Sequence, residues 1–306
     1  MKKDFISIAD WTPDELWNII LLSLKMKEYP ANYAEALKGK SVAMIFEKQS
    51  LRTHVTFDVG IYQLGGHSIF LSQQGINLGK RESIYDVAKN LERWIDAVVI
   101  RTFAHSNCVE LGKHMWCPVV NALDDIEHPC QAIGDFLTII ENFGEAQGRK
   151  LTFVGDGNNV CHSLMLVAAK LGMNFVAATP KGYEPKPAIV KLAQKAAKQT
   201  GAKIEVVNNP IEGARSADVI YTDVWASMGQ ESEKEARLKI FKDFQVNAKL
   251  MKRAKDTAIF MHCLPAHRGE EVTDEVMDGK QARIFDEAEN RLHTQKAILY
   301  TLMAGV

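Results

Sequence analysis

Ser50, Arg52 and Thr53 stand where an apolar run, 41–46, that reads as a buried strand gives way to a helical pattern through Val55, Val59 and Tyr62. Their chemistry is anion binding. The first backbone N–H groups of a helix have no partner inside it, and the helix dipole favours negative charge at that end. Ser50 and Thr53 add hydroxyl donors, and Arg52 adds a fork matched to phosphate or carboxylate oxygens. The bland alternative is an ordinary helix with Ser50 as its N-cap and a solvated Arg52.

Further groups follow predicted strands: Arg101, His128-Pro129-Cys130-Gln131, Asp223 to Gly229, and His262-Cys263-Leu264-Pro265. Each has a structural alternative. Arg101 and Asp223 can be strand-end charges, His128 a cap for the helix that Pro129 opens, and Cys263 a small buried hydrophobe. As an inventory they are coherent. Ser50, Arg52, Thr53 and Arg101 supply donors and charge suited to a phosphate dianion. His128 and Gln131 are one helical turn apart and face the same way, so an imidazole and an amide can hold a small carbonyl group. Asp223, Ser227 and Met228 suit a second substrate, the carboxylate for an ammonium group and the thioether for a short methylene chain. Cys263 can accept a proton if cations surround it. No Gly-x-x-x-x-Gly-Lys loop occurs, which argues against a nucleoside triphosphate.

The elements that must position these residues alternate. Strands are predicted at 41–46, 67–71, 97–100, 119–121, 151–154, 175–178, 204–207, 219–221 and 259–261, with helical patterns between most of them. The first helix opens with the capping box Thr12-Pro13-Asp14-Glu15 and carries an apolar stripe of Leu16, Ile20 and Leu24. A helix at 82–94 is expected to bury Ile84, Val87, Leu91 and Trp94, the stretch 73–81 to be a mobile loop, and 286–303 to be one final helix. The polar stretch 142–150 reads as a domain junction. The alternation implies an α/β fold of two domains, each a parallel sheet flanked by helices. Ligands bind such sheets at the carboxyl ends of the strands, and that is where the groups above collect.

Composition agrees. A chain of 306 residues has room for one large or two medium domains, and 46% hydrophobic with 25% charged residues is globular. A net charge of −1 gives no reason to expect nucleic acid as a partner. No apolar run is long enough to span a bilayer, and the start lacks a secretory apolar region, so no membrane partner and a cytoplasmic location are expected. The five scattered cysteines show no Cys-x-x-Cys spacing and read as reduced thiols, with no metal site.

The motifs resemble those of the aspartate/ornithine carbamoyltransferase family, and its ornithine branch most closely. Ser50-Leu51-Arg52-Thr53 is similar to the family's Ser-Thr-Arg-Thr, and His128-Pro129-Cys130-Gln131 is identical to its His-Pro-Cys-Gln. Asp223 through Ser227-Met228-Gly229 resembles the acceptor-binding loop, His262-Cys263-Leu264-Pro265 matches the His-Cys-Leu-Pro loop, and Arg291 matches an arginine near the final helix. The resemblance implies transfer of the carbamoyl group of carbamoyl phosphate to the δ-amine of L-ornithine, giving citrulline, with no cofactor. It implies a carbamoyl phosphate-binding domain at 1–141, an ornithine-binding domain at 142–285, and a segment at 286–306 packing back on the first. It assigns Ser50, Leu51 (through its backbone), Arg52, Thr53, Asn77, Arg101, His128, Gln131, Cys263, Leu264 and Arg291 to carbamoyl phosphate. Asn159, Asp223, Ser227 and Met228 go to ornithine, and Arg101, His128, Asp223 and Cys263 are the catalytic set. A homotrimer, or a multiple of trimers, is implied, with a neighbour's 73–82 stretch reaching the phosphate.

Three positions depart from the pattern. Leu51 replaces a threonine, His54 exchanges a fixed charge for a titratable one, and Asn77 is a methylene shorter than the usual glutamine. Other readings are a carbamoyltransferase for N-acylated ornithine or putrescine, a non-catalytic homologue, and a nicotinamide dehydrogenase suggested by Gly155-x-Gly157. The last lacks the third glycine, where Val160 stands, and the acidic residue after the next strand.

Overall fold

A computed structural model describes residues 2–76, 78–79, 81–226 and 231–304. Two compact units make up the chain: Met1–Leu137 with Glu289–Val306, and Thr138–Ala288. The division falls within the helix Pro129–Phe143, before the polar stretch in which a junction was expected.

The first unit holds β1 (Ser41–Phe46), β2 (His67–Ser72), β3 (Ala97–Arg101) and β4 (Val119–Leu123) in the order β2-β1-β3-β4, all parallel. Alternate residues Ala43, Ile45, Val98, Ile100 and Val119 share a core with Val87, Ala88, Cys108 and Leu111. The residues between them, Val42, Met44, Val99 and Val120, are equally buried, so both faces of the sheet are covered. The terminal segment belongs to this unit: Lys27 Nζ donates to Asn290 Oδ1 (2.9 Å), and Lys296 Nζ to Gln63 Oε1 (2.8 Å).

The second unit holds β5 (Lys150–Val154), β6 (Asn174–Ala178), β7 (Ile204–Val207), β8 (Val219–Thr222) and β9 (Ile259–His262) in the order β7-β6-β5-β8-β9, again all parallel. Val154, Ala178, Ile220 and Phe260 form its core with Val246, Leu250, Val272 and Val276.

In each sheet the chain winds outward from a central strand, then returns to wind the other way. The switch points lie between β1 and β3, and between β5 and β8. Successive helices diverge there and leave a crevice beyond the strand ends. Ser50 follows β1 and Arg101 ends β3; Asn158 follows β5 and Asp223 follows β8. The topology thus brings Ser50, Arg101 and Asp223, all singled out in the sequence, to the switch points, and adds Asn158.

Some local expectations need correction. The helix Ile84–Leu91 begins at the Ser83 N-cap and stops short of Trp94, which is 69% exposed. The buried stripe of the helix Pro13–Glu28 is Leu16, Ile19, Ile20 and Met26, with Leu24 only partly covered. Within 73–81, expected as loop, Gln73–Ile76 is a helical turn. The polar stretch after β8 contains the helices Lys234–Phe241 and Ala248–Met251, whose short apolar repeats gave a weak periodic signal.

Candidate active site

In the first unit, the extended backbone of Ser50 (φ −162°) ends the strand conformation, and its Oγ accepts the N–H of Thr53 at 3.2 Å. Ser50 is thus the N-cap of the helix Leu51–Gln63, and the N–H groups of Leu51 and Arg52 have no acceptor inside that helix. The Leu51 side chain is 73% exposed, so the backbone is what this residue brings to the turn. Thr53 is buried, and its Oγ1 accepts from Arg291 Nη2 at 2.9 Å. A hydroxyl that accepts still has its own proton to donate. Arg291 also donates through Nη1 to Gln131 Oε1, and Gln131 Nε2 donates to Asp135 Oδ1 at 2.7 Å. This buried chain ties the Ser50–Thr53 turn to Gln131 and to the terminal helix. Gly134 makes room for it: a Cβ there would sit 3.2 Å from Arg291 Cδ.

Arg101 is re-aimed by a bulge. Ile100 pairs with Asn121 but Arg101 with Leu123, so Ala122 is the extra residue. Bulges bend a strand end and redirect its side chain. Lys48 is close by; burial and then the charge of Arg101 hold its ammonium below the usual lysine range. His128 is buried. Its imidazole is pushed well below its ordinary pKa by burial first, then by the charges of Arg291, Arg101, Arg52 and Lys48. A neutral imidazole set among cations is a hydrogen-bonding group in a positive field, suited to a carbonyl attached to a dianion.

In the second unit, Asp223 Oδ1 accepts from Val224 N (2.8 Å) and from Cys263 Sγ (3.2 Å), while Oδ2 accepts from Asn158 Nδ2 (2.7 Å). Within its own unit the Cys263 thiol faces a carboxylate, because the ends of β8 and β9 are adjacent. The other cysteines are buried, and burial pushes Cys117 to about 11 and Cys130 to about 12. The loop after β9 is built on His262, whose Nδ1 accepts from Leu264 N (2.9 Å) while Nε2 faces Glu271 Oε1 (3.2 Å). An accepting Nδ1 puts the proton on Nε2. These bonds hold Leu264 in a left-handed conformation (φ 58°) that a residue with a Cβ adopts at a cost. The His262 N–H donates to Glu287 Oε2 (2.9 Å), and Glu287 Oε1 takes the Tyr221 hydroxyl (3.0 Å).

Asn77, Ser227 and Met228 lie outside the described residues. The structure adds residues that the sequence reading passed over. Asn158, beside the Asn159 that the resemblance assigns to ornithine, donates to Asp223; an asparagine just before an apolar helical run was the available signal. Arg237, buried, donates through Nη1 to Asp156 Oδ2 (2.8 Å) and to the Trp225 carbonyl (2.9 Å), anchoring the strand-end loop. Nothing in the sequence marks Arg237 among its charged neighbours. Gly157 has a packing reason: a Cβ there would lie 2.2 Å from Pro185 N. The Gly157 N–H donates to the Tyr183 carbonyl (2.9 Å), so this backbone donor is taken by the chain itself, against the dehydrogenase reading.

Two groups of potential metal ligands occur among the described residues, Asp223 with His262 and Cys263, and His267 with Glu270 and Glu271. In the first, both ring nitrogens of His262 are engaged; in the second, Lys234 holds Glu270 at 2.9 Å. No described helix is long and apolar enough to cross a membrane.

Comparison with known proteins bears on both units. Residues 3–141 match the family model "Aspartate/ornithine carbamoyltransferase, carbamoyl-P binding domain", and residues 147–302 match its "Asp/Orn binding domain". The chain is 52% identical over 304 residues to the ornithine carbamoyltransferase of Symbiobacterium thermophilum, covering 99% of this chain and 98% of that protein. Its structure is similar to that of the ornithine carbamoyltransferase from Pyrococcus furiosus, with a TM-score of 0.97 at 47% identity over 100% of this chain and 98% of that one. A more distant structure, an acetylornithine transcarbamylase complexed with acetylcitrulline, gives 0.89 at 28% identity, over 98% of this chain and 99% of that one.

Proposed function

The chain belongs to the aspartate/ornithine carbamoyltransferase family, and from that premise we infer that it transfers the carbamoyl group of carbamoyl phosphate to the δ-amine of L-ornithine, giving L-citrulline and phosphate. The observation that carries the donor half is the neutral, buried His128 set among Arg52, Arg101 and Arg291 at the switch point of the first sheet.

The donor's phosphate takes the backbone N–H groups and hydroxyls at Ser50–Thr53, with Arg52 and Arg101 on its oxygens. His128 and Gln131 hold the carbamoyl group; the backbone carbonyls of Cys263 and Leu264 accept its NH2 protons. Arg291 acts by fixing Thr53 and Gln131. Asn159, Asp223, Ser227 and Met228 bind the amino-acid end of ornithine, Asp223 taking the α-ammonium group. The neutral δ-amine attacks the carbamoyl carbon with its lone pair. Charge gathers on the carbamoyl oxygen, which Arg101, His128 and the Thr53 hydroxyl stabilise. The C–O bond to phosphate then breaks, phosphate leaves with the bonding pair, and the proton lost by the amine nitrogen ends on the departing phosphate. Orientation and electrostatics supply the rate.

An N-acylated acceptor has no ammonium group for Asp223 to meet, so ornithine is the better fit. For assembly we propose a homotrimer. The edge strand β2 and the helix Leu51–Gln63 expose Leu51, Val55, Tyr62 and Phe70, and a cavity of about 440 Å³ opens between Ser50, His54, Phe70 and Gln73. A neighbour's 73–82 stretch would fill such a place, and the unpaired thiols suit a cytoplasmic enzyme. The test is phosphate release from carbamoyl phosphate, with the carbamoylated product identified, using ornithine, acetylornithine, putrescine or aspartate as acceptor, beside the sedimentation mass. Turnover with ornithine above all others is expected; preference for another acceptor, or no turnover, would overturn the reading.

A further inference from the structure

We propose that Asn158 is a positioning residue that fixes the carboxylate of Asp223 for the acceptor's α-ammonium group, a role that rests on the acceptor reading above. Asn158 stands between β5 and the helix Asn159–Lys170, at the switch point of the second sheet. Its two side-chain atoms face opposite ways. Oδ1 accepts the N–H groups of Val160 (3.0 Å) and Cys161 (3.1 Å), the first-turn donors a helix cannot satisfy itself. Nδ2 donates to Asp223 Oδ2 at 2.7 Å. The cap decides which end of the amide is which: with Oδ1 held by two backbone donors, the NH2 must point at Asp223.

The bond matters for how Asp223 can be used. Oδ1 of Asp223 is shared by the Val224 N–H and the Cys263 thiol, and Oδ2 by Asn158. Held at both oxygens, the carboxylate cannot rotate, and its remaining lone pairs point in set directions. An ammonium group meeting it finds an acceptor already oriented, with no side-chain ordering left to be done on binding. Asn158 touches no substrate in this scheme; it acts through Asp223.

Asn158→Asp separates the two tasks. An aspartate caps a helix as well as an asparagine does, so the cap itself is kept and the variant should still fold. The donor toward Asp223 becomes an acceptor, and two carboxylates face each other. The KM for ornithine should rise roughly tenfold to a hundredfold near pH 8, as for loss of one hydrogen bond to a charged group, with the KM for carbamoyl phosphate within about twofold of wild type. Carboxylates at this distance take up one shared proton as pH falls, which restores a donor. The ratio of variant to wild-type KM should therefore shrink as pH is lowered. Asp156 with Arg237, and Cys263, also face this place; they are present in both proteins and cancel in the ratio.

A merely structural cap would show the opposite pattern, no change in Asn158→Asp and a loss of stability in Asn158→Ala. An unchanged ornithine KM, or a ratio flat with pH, in an otherwise active enzyme would overturn the assignment of Asn158 alone. A wild-type enzyme that forms no citrulline from ornithine would overturn the acceptor reading, and this inference with it.

Discussion

Replacing His128 by Gln should remove one titrating proton from the acid side of the stability curve. The folded-state pKa of His128 lies well below its ordinary value of 6.5, through burial and then the charges of Arg291, Arg101, Arg52 and Lys48. A depressed folded pKa means that the native chain stays neutral at a pH where the unfolded chain has already bound the proton. His128 therefore carries no stability penalty above about pH 6.5, and stability is lost as pH falls below it toward the folded value. The slope approaches about 1.4 kcal/mol per pH unit between the unfolded and the folded pKa, so across that interval the wild type should lose stability that His128→Gln keeps. His293, lowered by burial, adds a slope of the same sign, and His105, raised by its hydrogen bond to Asp124, opposes it. Both are common to the two proteins and drop out of the difference. Urea denaturation from about pH 8 to pH 5 measures that difference, and imidazole NMR reads the ring directly. Parallel curves, or an imidazole titrating near 6.5 in the free enzyme, would refute the picture of a neutral His128 held down by cations. Inorganic phosphate should move the ring's titration upward, because the anion offsets the charges that depress it.

Arg101→Met should cut kcat by about 10²–10³-fold, the usual loss for one preorganised donor to a developing oxyanion, with the far-ultraviolet dichroism preserved. Turnover within threefold of wild type would remove Arg101 from the reacting centre. Gly157→Ala would force a Cβ to within 2.2 Å of Pro185 N, which the backbone cannot accept without moving. A destabilisation of about 3 kcal/mol is expected, and an unchanged melting temperature would show that the 183–186 chain yields freely.

Much of the fold was legible because central parallel strands, buried on both faces, read as short continuous apolar runs; the nine strands among the described residues fall where strands were expected, the more exposed edge strands β2 and β7 included. Strand ends were legible to within a residue or two. Helix ends were read well where a cap residue marked them, as at Thr12 and Ser50, and poorly at Trp94, where apolar spacing continued past the last helical residue. Candidate groups could be proposed wherever polar side chains sit directly after a strand. What escaped was the layer behind it. Asn158 looked like a repeat of Asn159, and Arg237, Glu271, Glu287 and Asp135 are ordinary charged residues until the fold buries them beside a partner. The pairings of Asn158, Arg237 and Glu287 join residues far apart in the chain, so no local pattern announces them.

The family departures at positions 51 and 54 become intelligible through the same electrostatics. The side chain of Leu51 is solvent-facing on its unit, so a threonine-to-leucine exchange leaves the backbone donors of the turn in place. The ring of His54 stacks on Phe70 of the edge strand β2, with centroids 4.0 Å apart and planes 16° from parallel, and lies 5.8 Å from the ring of Phe46. It is drawn into aromatic packing beside the cavity next to Ser50. The charge it gives up is not needed. Lys48, Arg52, Arg101 and Arg291 already act together on His128, and Lys48 is itself depressed by burial and by Arg101. Before an anion arrives these cations repel one another, and a further fixed charge in the same turn would add to that repulsion. A phosphate dianion neutralises about two charges, so the remaining set still exceeds what it brings. Exchanging an arginine for a stacked histidine at position 54 therefore removes repulsion from the empty site while leaving the bound one with a positive excess.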